Sequence, residues 1–451
     1  MGHILLAAPE IRHFALTDAL VRLLARRGLR VSVLAADAVT ARFLDAHGIA
    51  VHALQPLRRG TAADPTLDEF ARRDARLAGR GLDRGALRRA HARLARLAPP
   101  LVRHFETTLP DVVLFFDGRD GLARLVHATA QVYGCATAHL GAGLLPGTLQ
   151  CDFVGVDGDR APPAPASTAA DRSLLDAALA SALAGGVPGI GPAPRVVFPP
   201  TLGDRVATFL RAWRDGETRA RRARLAAWQA ATRLFPREAR TMPAQLPPPP
   251  YLAVLLQDAD DARLRLDADP APDAASLIET AQRSARALGL GPRLVVVLPP
   301  HGDAGLRAIG PRADLVMLPP IAATSVAATA AAIVTVNHPR AFVGALAGTP
   351  TLCVGRAFWA RDGLAAMGPL RAVEEGLRTA LSARADKSSR ATATQIVRDE
   401  LLWCDAAQPD GNGLAGIARW LENLLARTAP PPPPALYEPG PPWPRHEGEH
   451  G

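Results

Sequence analysis

Apolar and polar positions follow the same rhythm twice along the chain, with short strand-like runs separated by amphipathic helices. The clearest instance is 331–359, AAIVTVNHPRAFVGALAGTPTLCVGRAFW. Residues 333–336 are all β-branched, the pattern of a strand buried on both faces. Asn337-His338-Pro339 stops that run. Residues 340–347 are mostly apolar, and Gly348 stands where a helix C-cap is expected. Residues 351–354 form the next strand, and Gly355-Arg356 opens its loop. The pattern predicts a parallel βαβ unit.

The same reading applies from the start of the chain. It predicts strands at 3–8, 31–35, 51–54, 111–116 and 136–140. Helices are predicted at 14–27, closed by Gly28, at 37–47 with Asp37 as N-cap, and at 122–133 before Gly134. Residues 66–97 read as helical and Arg-rich, a solvated face in preference to the alternative, a patch for an anionic membrane surface. Strand 136–140 runs into a loop, Gly141-Ala142-Gly143, and 155–163 is a turn-rich exit. One helix is expected at 169–184 within the Pro- and Ala-rich stretch 161–200. A second Arg-rich helical stretch covers 205–235, and 247–250 is a polyproline step. The α/β pattern then resumes with strands at 251–256, 294–298 and 315–318 and helices at 274–288 and 321–331. Residues 372–382 and 391–427 read as mainly helical. This divides the chain into an α/β unit at 1–190, a helical and Pro-rich linker at 191–250, and a second α/β unit at 251–385. Helices at 386–427 and a disordered Pro-rich tail at 428–451 follow.

Composition narrows the classes. The chain has 451 residues, 48% hydrophobic and 21% charged, enough for packed cores in two or three domains. The net charge is +9 and the basic residues are mostly Arg, which suits phosphates, carboxylates and anionic membrane surfaces. Basic–aromatic interleaving and zinc-ligand spacing are absent, so nucleic acid is not an expected partner. Cys135, Cys151, Cys353 and Cys404 are scattered without a CxxC, the usage of a reducing compartment. The N-terminal apolar run is too short for a signal peptide, and 321–336 falls short of the roughly 20 residues of a membrane helix. A cytoplasmic protein, peripheral at most to the inner membrane, is expected.

Candidate chemistry lies at strand ends. Ligands of open parallel sheets sit beyond the carboxyl ends of the strands. Asn337, His338 and Arg356 fall there, beside a helix N-terminus, a combination suited to phosphate. Solvated loop polar groups are the alternative. Asp258, Asp260 and Asp261 form an acidic loop after strand 251–256, and His301 follows strand 294–298. In the first half, Arg12 and His13 follow the first strand. Asp117 and Arg119 follow strand 111–116, as a local ion pair or as ligand contacts. The first βαβ lacks G-x-G-x-x-G, which excludes the usual dinucleotide fingerprint.

Several of these stretches resemble one family, the bacterial capsule polysaccharide biosynthesis and export proteins that are retaining β-Kdo glycosyltransferases. DVVLFFDGRD, GVDG at 155–158, YLAVLLQDADD and TVNHPRAFVGALAGTPTLCVGRAFW match its blocks in order, across about two thirds of the chain. The last block is the most specific, through Thr335, Asn337, Gly348, Pro350, Gly355, Arg356, Ala357, Phe358 and Trp359. The resemblance implies a GT-B-like α/β fold, two Rossmann-like domains facing across a cleft. It implies a CMP-Kdo-type donor, a lipid or glycan acceptor, capsule export proteins as partners, and neither metal nor cofactor. Asp261 matches the family's catalytic carboxylate; Gln257, His301, Asn337, His338 and Arg356 would serve the donor. Arg12, His13, Asp117 and Arg119 would face the acceptor. The sequence also departs from the pattern. An acidic loop reads Leu140 to Leu145, a His-Pro reads Pro299-Pro300, a Ser-Thr pair reads His338-Pro339, and a Glu is Val343. A catalytically degenerate relative serving as a binding or scaffold subunit of the export machinery is therefore the alternative.

Overall fold

The computed structural model describes residues 2–10, 13–57, 67–78, 84–160, 169–184, 246–258, 261–268, 270–291, 293–299, 314–361, 363–383, 387–404, 409 and 411–426. Two sheets organise them. The first begins with β1 (His3–Ala7), β2 (Arg30–Ala35), β3 (Val51–Ala53), β4 (Val112–Phe116) and β5 (Ala136–Ala142), all parallel. Two antiparallel strands, β6 (Thr148–Asp152) and β13 (Leu401–Trp403), extend it to the order β13-β6-β5-β4-β1-β2-β3. The second contains β7 (Leu252–Leu255), β8 (Leu294–Val297), β9 (Leu315–Leu318), β10 (Ala332–Thr335), β11 (Thr351–Cys353) and β12 (Ala366–Met367). It is parallel throughout, in the order β12-β11-β10-β7-β8-β9. The expected pair of Rossmann-like α/β units is thus present.

Alternation along each central strand splits its side chains between two cores. On β4, Val112, Leu114 and Phe116 join one core while Val113 and Phe115 join the other. On β10, Ile333 faces one core while Ala332 and Val334 face the other. Helices close both faces of each sheet. In the first unit these are α1 (Phe14–Arg26), α2 (Ala38–Ala46), α3 (Leu67–Leu77), α4 (Arg84–Thr108) and α5 (Gly121–Val132). Asp37 caps α2 as expected, accepting from Val39 N and Thr40 N. The helix α4 runs on past 97 through Pro99-Pro100. Pro100 has no N–H to offer Arg96 O, and Leu57 N takes that carbonyl instead at 3.0 Å.

Two segments cross between the units. The helix α6 (Arg172–Ala184), read from sequence as part of the first unit, buries Leu175, Ala178 and Ala182 in the core of the second. Residues 401–425, read as helices standing alone, return to the first unit. Leu401–Trp403 is a strand paired with β6, and helix Gly411–Leu425 packs Ile417, Ala418 and Leu421 into the first core. The Gly141-Ala142 loop is also corrected: β5 continues through Ala142 into a tight hairpin with β6. The second Arg-rich stretch at 205–235 and the tail at 428–451 lie outside the described residues.

Candidate functional site

Strand order reverses at one place in each sheet. In the first, β1 lies between β4 and β2; in the second, β7 lies between β10 and β8. Loops diverge there at the carboxyl ends and leave a crevice. The described candidate residues sit on these loops: His13 after β1, Asp117 and Arg119 after β4, Gln257 and Asp261 after β7, Asn337 and His338 after β10. Arg356 follows β11, next to β10. The two crevices face each other, because Arg119 of the first unit forms a salt bridge with Asp267 of the second.

On the second-unit side the loops are cross-linked. Asn337 N donates to Gln257 Oε1 at 2.9 Å, and Gln257 Nε2 donates to Asn337 O at 3.3 Å. Thr335 Oγ1 donates across the sheet to Leu255 O at 3.0 Å and accepts from His338 N at 3.2 Å. Asp261 is the N-cap of α7 (Ala262–Asp267): its Oδ1 accepts from Arg263 N at 2.8 Å, and its Oδ2 from Gln257 Nε2 at 3.3 Å. His338 caps the helix Pro339–Leu346. Its Nδ1 accepts from Arg340 N at 3.1 Å. That bond puts the ring proton on Nε2. Burial, with the charges of Arg340 and Arg263, pushes the His338 pKa down to about 3. His338 is therefore a neutral N–H donor and not the cation that its type suggests. The helix N-terminus is also altered from the expected anion cradle. Pro339 has no N–H, Arg340 N goes to His338, and Ala341 N goes to His338 O at 2.9 Å.

On the first-unit side, the chain turns sharply after β4. Asp117 has φ +61° and Gly118 φ +70°, two left-handed residues in succession. A Cβ on Gly118 would lie 2.5 Å from His139 Nδ1, so the turn requires glycine for space as well. His139 is fully buried, 3.1 Å from His127, and burial keeps both neutral; the His127 pKa falls to about 4. His13 is buried against Phe116, ring centroids 5.0 Å apart, and accepts from Glu10 N at 3.0 Å. It closes the loop after β1. Arg12 and His301 lie outside the described residues.

Between the units the polar groups form one network. Arg119 bonds Asp267, and its other nitrogens reach Asp159 at 3.3 Å and Asp157 at 3.4 Å. Arg73 holds Asp159 by both terminal nitrogens, each at 2.7 Å. Arg263 Nε lies 3.0 Å from Asp157. Arg356 donates to Leu266 O at 3.0 Å and lies 3.6 Å from Asp159. Asn337 Nδ2 donates to Asp267 at 2.8 Å and to Arg356 O at 2.9 Å. The structure thus brings Gln257, Asp261, Asn337, Arg356 and Arg119 into one hydrogen-bonded cluster, with His338 on the adjoining loop.

Sequence reading missed Arg73, Gln150, Asp157, Asp159, Arg263 and Asp267 as site residues. Arg73 stands in the stretch read as a solvated face. Arg72, Arg84, Arg88, Arg89 and Arg93 are exposed, but Arg73 turns inward onto Asp159. The one available signal was the pair of acids in GVDGD, two residues apart on a turn. A second cluster lies beside the first: Arg160 bridges Asp152 and Glu400 at 3.4 Å each, Arg361 also binds Glu400, and Arg160 sits 4.7 Å over Phe358.

The carboxylates respond unequally. Burial would raise Asp159, but the Arg73 hydrogen bonds and the charges of Arg119 and Arg356 outweigh it and hold its pKa well below the usual range. Asp267 goes the other way, up to about 6: its burial and the neighbouring Asp157 and Asp159 together outweigh the pull of Arg119. Because Asp159 is depressed on folding, its stabilisation is complete above the unfolded pKa of about 4 and is lost as pH falls below it. Urea unfolding midpoints are expected to drop steeply from pH 4 to pH 2 in the wild type. Asp159→Asn, less stable at pH 7, should show a flatter acid limb; equal acid limbs would contradict the assignment.

Among the described residues, no group of His, Cys, Asp and Glu is arranged to hold a metal ion, and no helix is long and apolar enough to cross a membrane. No family model matches the chain, and no curated protein matches it. Among solved structures, the calicheamicin glycosyltransferase CalG4 aligns at 16% identity and TM-score 0.38, over 95% of this chain and 100% of its own. The spinosyn rhamnosyltransferase SpnG, complexed with spinosyn aglycone, aligns at 15% and 0.37, over 94% and 100%. MurG of Acinetobacter baumannii aligns at 13% and 0.37, over 94% and 100%. The fold is defined by the strand order and register described above.

Proposed function

We propose that the chain is a glycosyltransferase of bacterial capsular or surface polysaccharide assembly, of GT-B type. It transfers Kdo or a related acid sugar from a CMP-sugar to a lipid or glycan acceptor, without metal or cofactor. The observation that supports this reading is the meeting of the two crevices: of the residues that the family resemblance singles out, Gln257, Asp261, Asn337, Arg356 and Arg119 join one network there. Arg356 supplies charge for the donor's phosphate or carboxylate, and Gln257, Asn337 and neutral His338 supply directed N–H groups. Asp117 and Arg119 face the acceptor side.

Retention of configuration follows from two displacements at Asp261. Its carboxylate attacks the anomeric carbon, the bond to the CMP oxygen breaks, and CMP leaves as the anion. An acceptor hydroxyl then attacks the same carbon, loses its proton to solvent, and frees the carboxylate. Asp261→Asn separates this role from helix capping, because Asn caps as well as Asp. The variant should keep wild-type stability yet lose transfer by about a thousandfold or more, read as CMP release from CMP-Kdo. In calorimetry, CMP-Kdo binding should weaken about tenfold in Arg356→Ala. Transfer undiminished in Asp261→Asn would leave it a cap alone.

Arg72, Arg84, Arg88, Arg89 and Arg93 are exposed on α3 and α4. We assign them to the anionic inner face of the membrane, with capsule export proteins as neighbours. Co-sedimentation with anionic vesicles should fall as salt rises; salt-independent binding would refute an electrostatic attachment. One observation favours the second reading, a scaffold subunit of the export machinery: Asp261 and His338 are used as caps, and the first N–H groups of helix Pro339–Leu346 are already bonded. Failure of the folded protein to bind CMP or CMP-Kdo would decide for it.

A further inference from the structure

The turn 155–159 follows β6 and carries Asp157 and Asp159 into the arginines between the units. It is rigidly built. Asp157 has φ +53°, its N–H donates to Gln150 Oε1 at 3.0 Å, and its Oδ1 accepts from Gln150 Nε2 at 2.8 Å. Val156 beside it is fully buried. Gly158 touches the opposite unit: a Cβ there would lie 2.3 Å from Asp267 Oδ1 and 3.1 Å from Arg356 Cβ. Arg73, Arg119, Arg263 and Arg356 come from four separate segments, and three of them converge on the single carboxylate of Asp159. Bidentate and oblique guanidinium contacts around one anion are the arrangement a phosphate would also take.

We propose that Asp159, with Asp157 beside it, is an internal anion filling an arginine site between the two units, so that the turn 155–159 must withdraw before an anionic ligand enters. The inference rests on the reading of this crevice as a ligand site. With the turn in place, each guanidinium has a carboxylate partner. With it withdrawn, the four guanidiniums would keep only Asp267 beside Arg119 and Arg356, Glu69 at 4.0 Å from Arg73, and Asp261 and Asp117 acting on Arg263 from further off. The site would then be strongly cationic. Apparent affinity for an anion is reduced by the fraction of molecules with the turn withdrawn, and a change that displaces the turn restores it.

Two variants of the full chain test this. Asp159→Asn removes the internal charge; Gly158→Ala leaves every charge in place and wedges the turn away from Asp267. Inorganic pyrophosphate is titrated into each by calorimetry, and the radius of gyration is measured by X-ray scattering. Both variants should bind pyrophosphate about tenfold tighter than the wild type or better, and Gly158→Ala should have the larger radius. Folded variants with wild-type pyrophosphate affinity overturn the proposal, whether or not the radius changes. If Asp159→Asn does not fold, Gly158→Ala decides by the same criterion. Wild-type binding of CMP-Kdo that neither variant alters would overturn the internal anion and leave the ligand site standing. Absence of any anion binding in all folded forms would remove both.

Discussion

Arg119→Ala is expected to destabilise the protein by about 3–5 kcal/mol at neutral pH, the usual cost of removing one partner from a buried ion cluster. Arg119 is 4% exposed and serves Asp157, Asp159 and Asp267 together. Its loss does not strand the three equally. Asp159 keeps Arg73 and Asp157 keeps Arg263, whereas Asp267 keeps only Asn337 and the more distant Arg356 at 4.0 Å. Asp267 already holds its proton up to about pH 6. Without Arg119 its pKa rises further, and the folded state takes up a proton that the unfolded state does not. The penalty should therefore be smaller at pH 5 than at pH 8. Urea unfolding of wild type and variant at both pH values measures this, and Arg119→Met with Asp267→Leu should recover much of the loss. A pH-independent penalty under about 1 kcal/mol would mean that the units are held together without this cluster.

Trp359→Ala should cost a similar amount, about 3–5 kcal/mol, as truncations of buried aromatic residues do. Trp359 is fully buried and meets Phe342 edge-on, centroids 5.7 Å apart. Its Nε1 has no hydrogen-bond partner among the described residues, so Trp359→Phe loses volume but no bond and should cost under about 1.5 kcal/mol. The comparison bears on the Gly-Arg-Ala-Phe-Trp block itself. Only its Arg356 reaches the network around Asp159, while Phe358 lies under Arg160 of the second cluster and Trp359 is packing. If Trp359→Phe lost ligand binding at unchanged stability, the aromatic residue would instead belong to the site.

The strands and helices of both units were legible because each has one periodicity and one set of stops. Val112 to Phe116 and Ile333 to Thr335 are buried on both faces, and their short runs of mostly β-branched or aromatic residues between stop signals read as strands. Three strands were not legible, the two-residue Ala366–Met367 among them. Thr148–Asp152 contains Gln150, Cys151 and Asp152, and Leu401–Trp403 is three residues long. Both are strands because a neighbouring edge pairs with them. The positions of Gln257, Asn337 and Arg356 were legible as strand ends. The uses of Asp261 and His338 as helix caps were not, since a cap depends on where the following helix starts.

By itself, the sequence determined two α/β units and the loops on which chemistry could be carried, since periodicity and stop signals are local properties. It also determined an excess of arginine. Tertiary structure decided which of those arginines face inward. Arg73, Arg119, Arg263 and Arg356 are spread over some 280 positions of the chain, and Asp157, Asp159 and Asp267 meet them only when the two sheet edges close on each other. Buried charges must find partners wherever the fold puts them, and that requirement joins residues across any sequence distance.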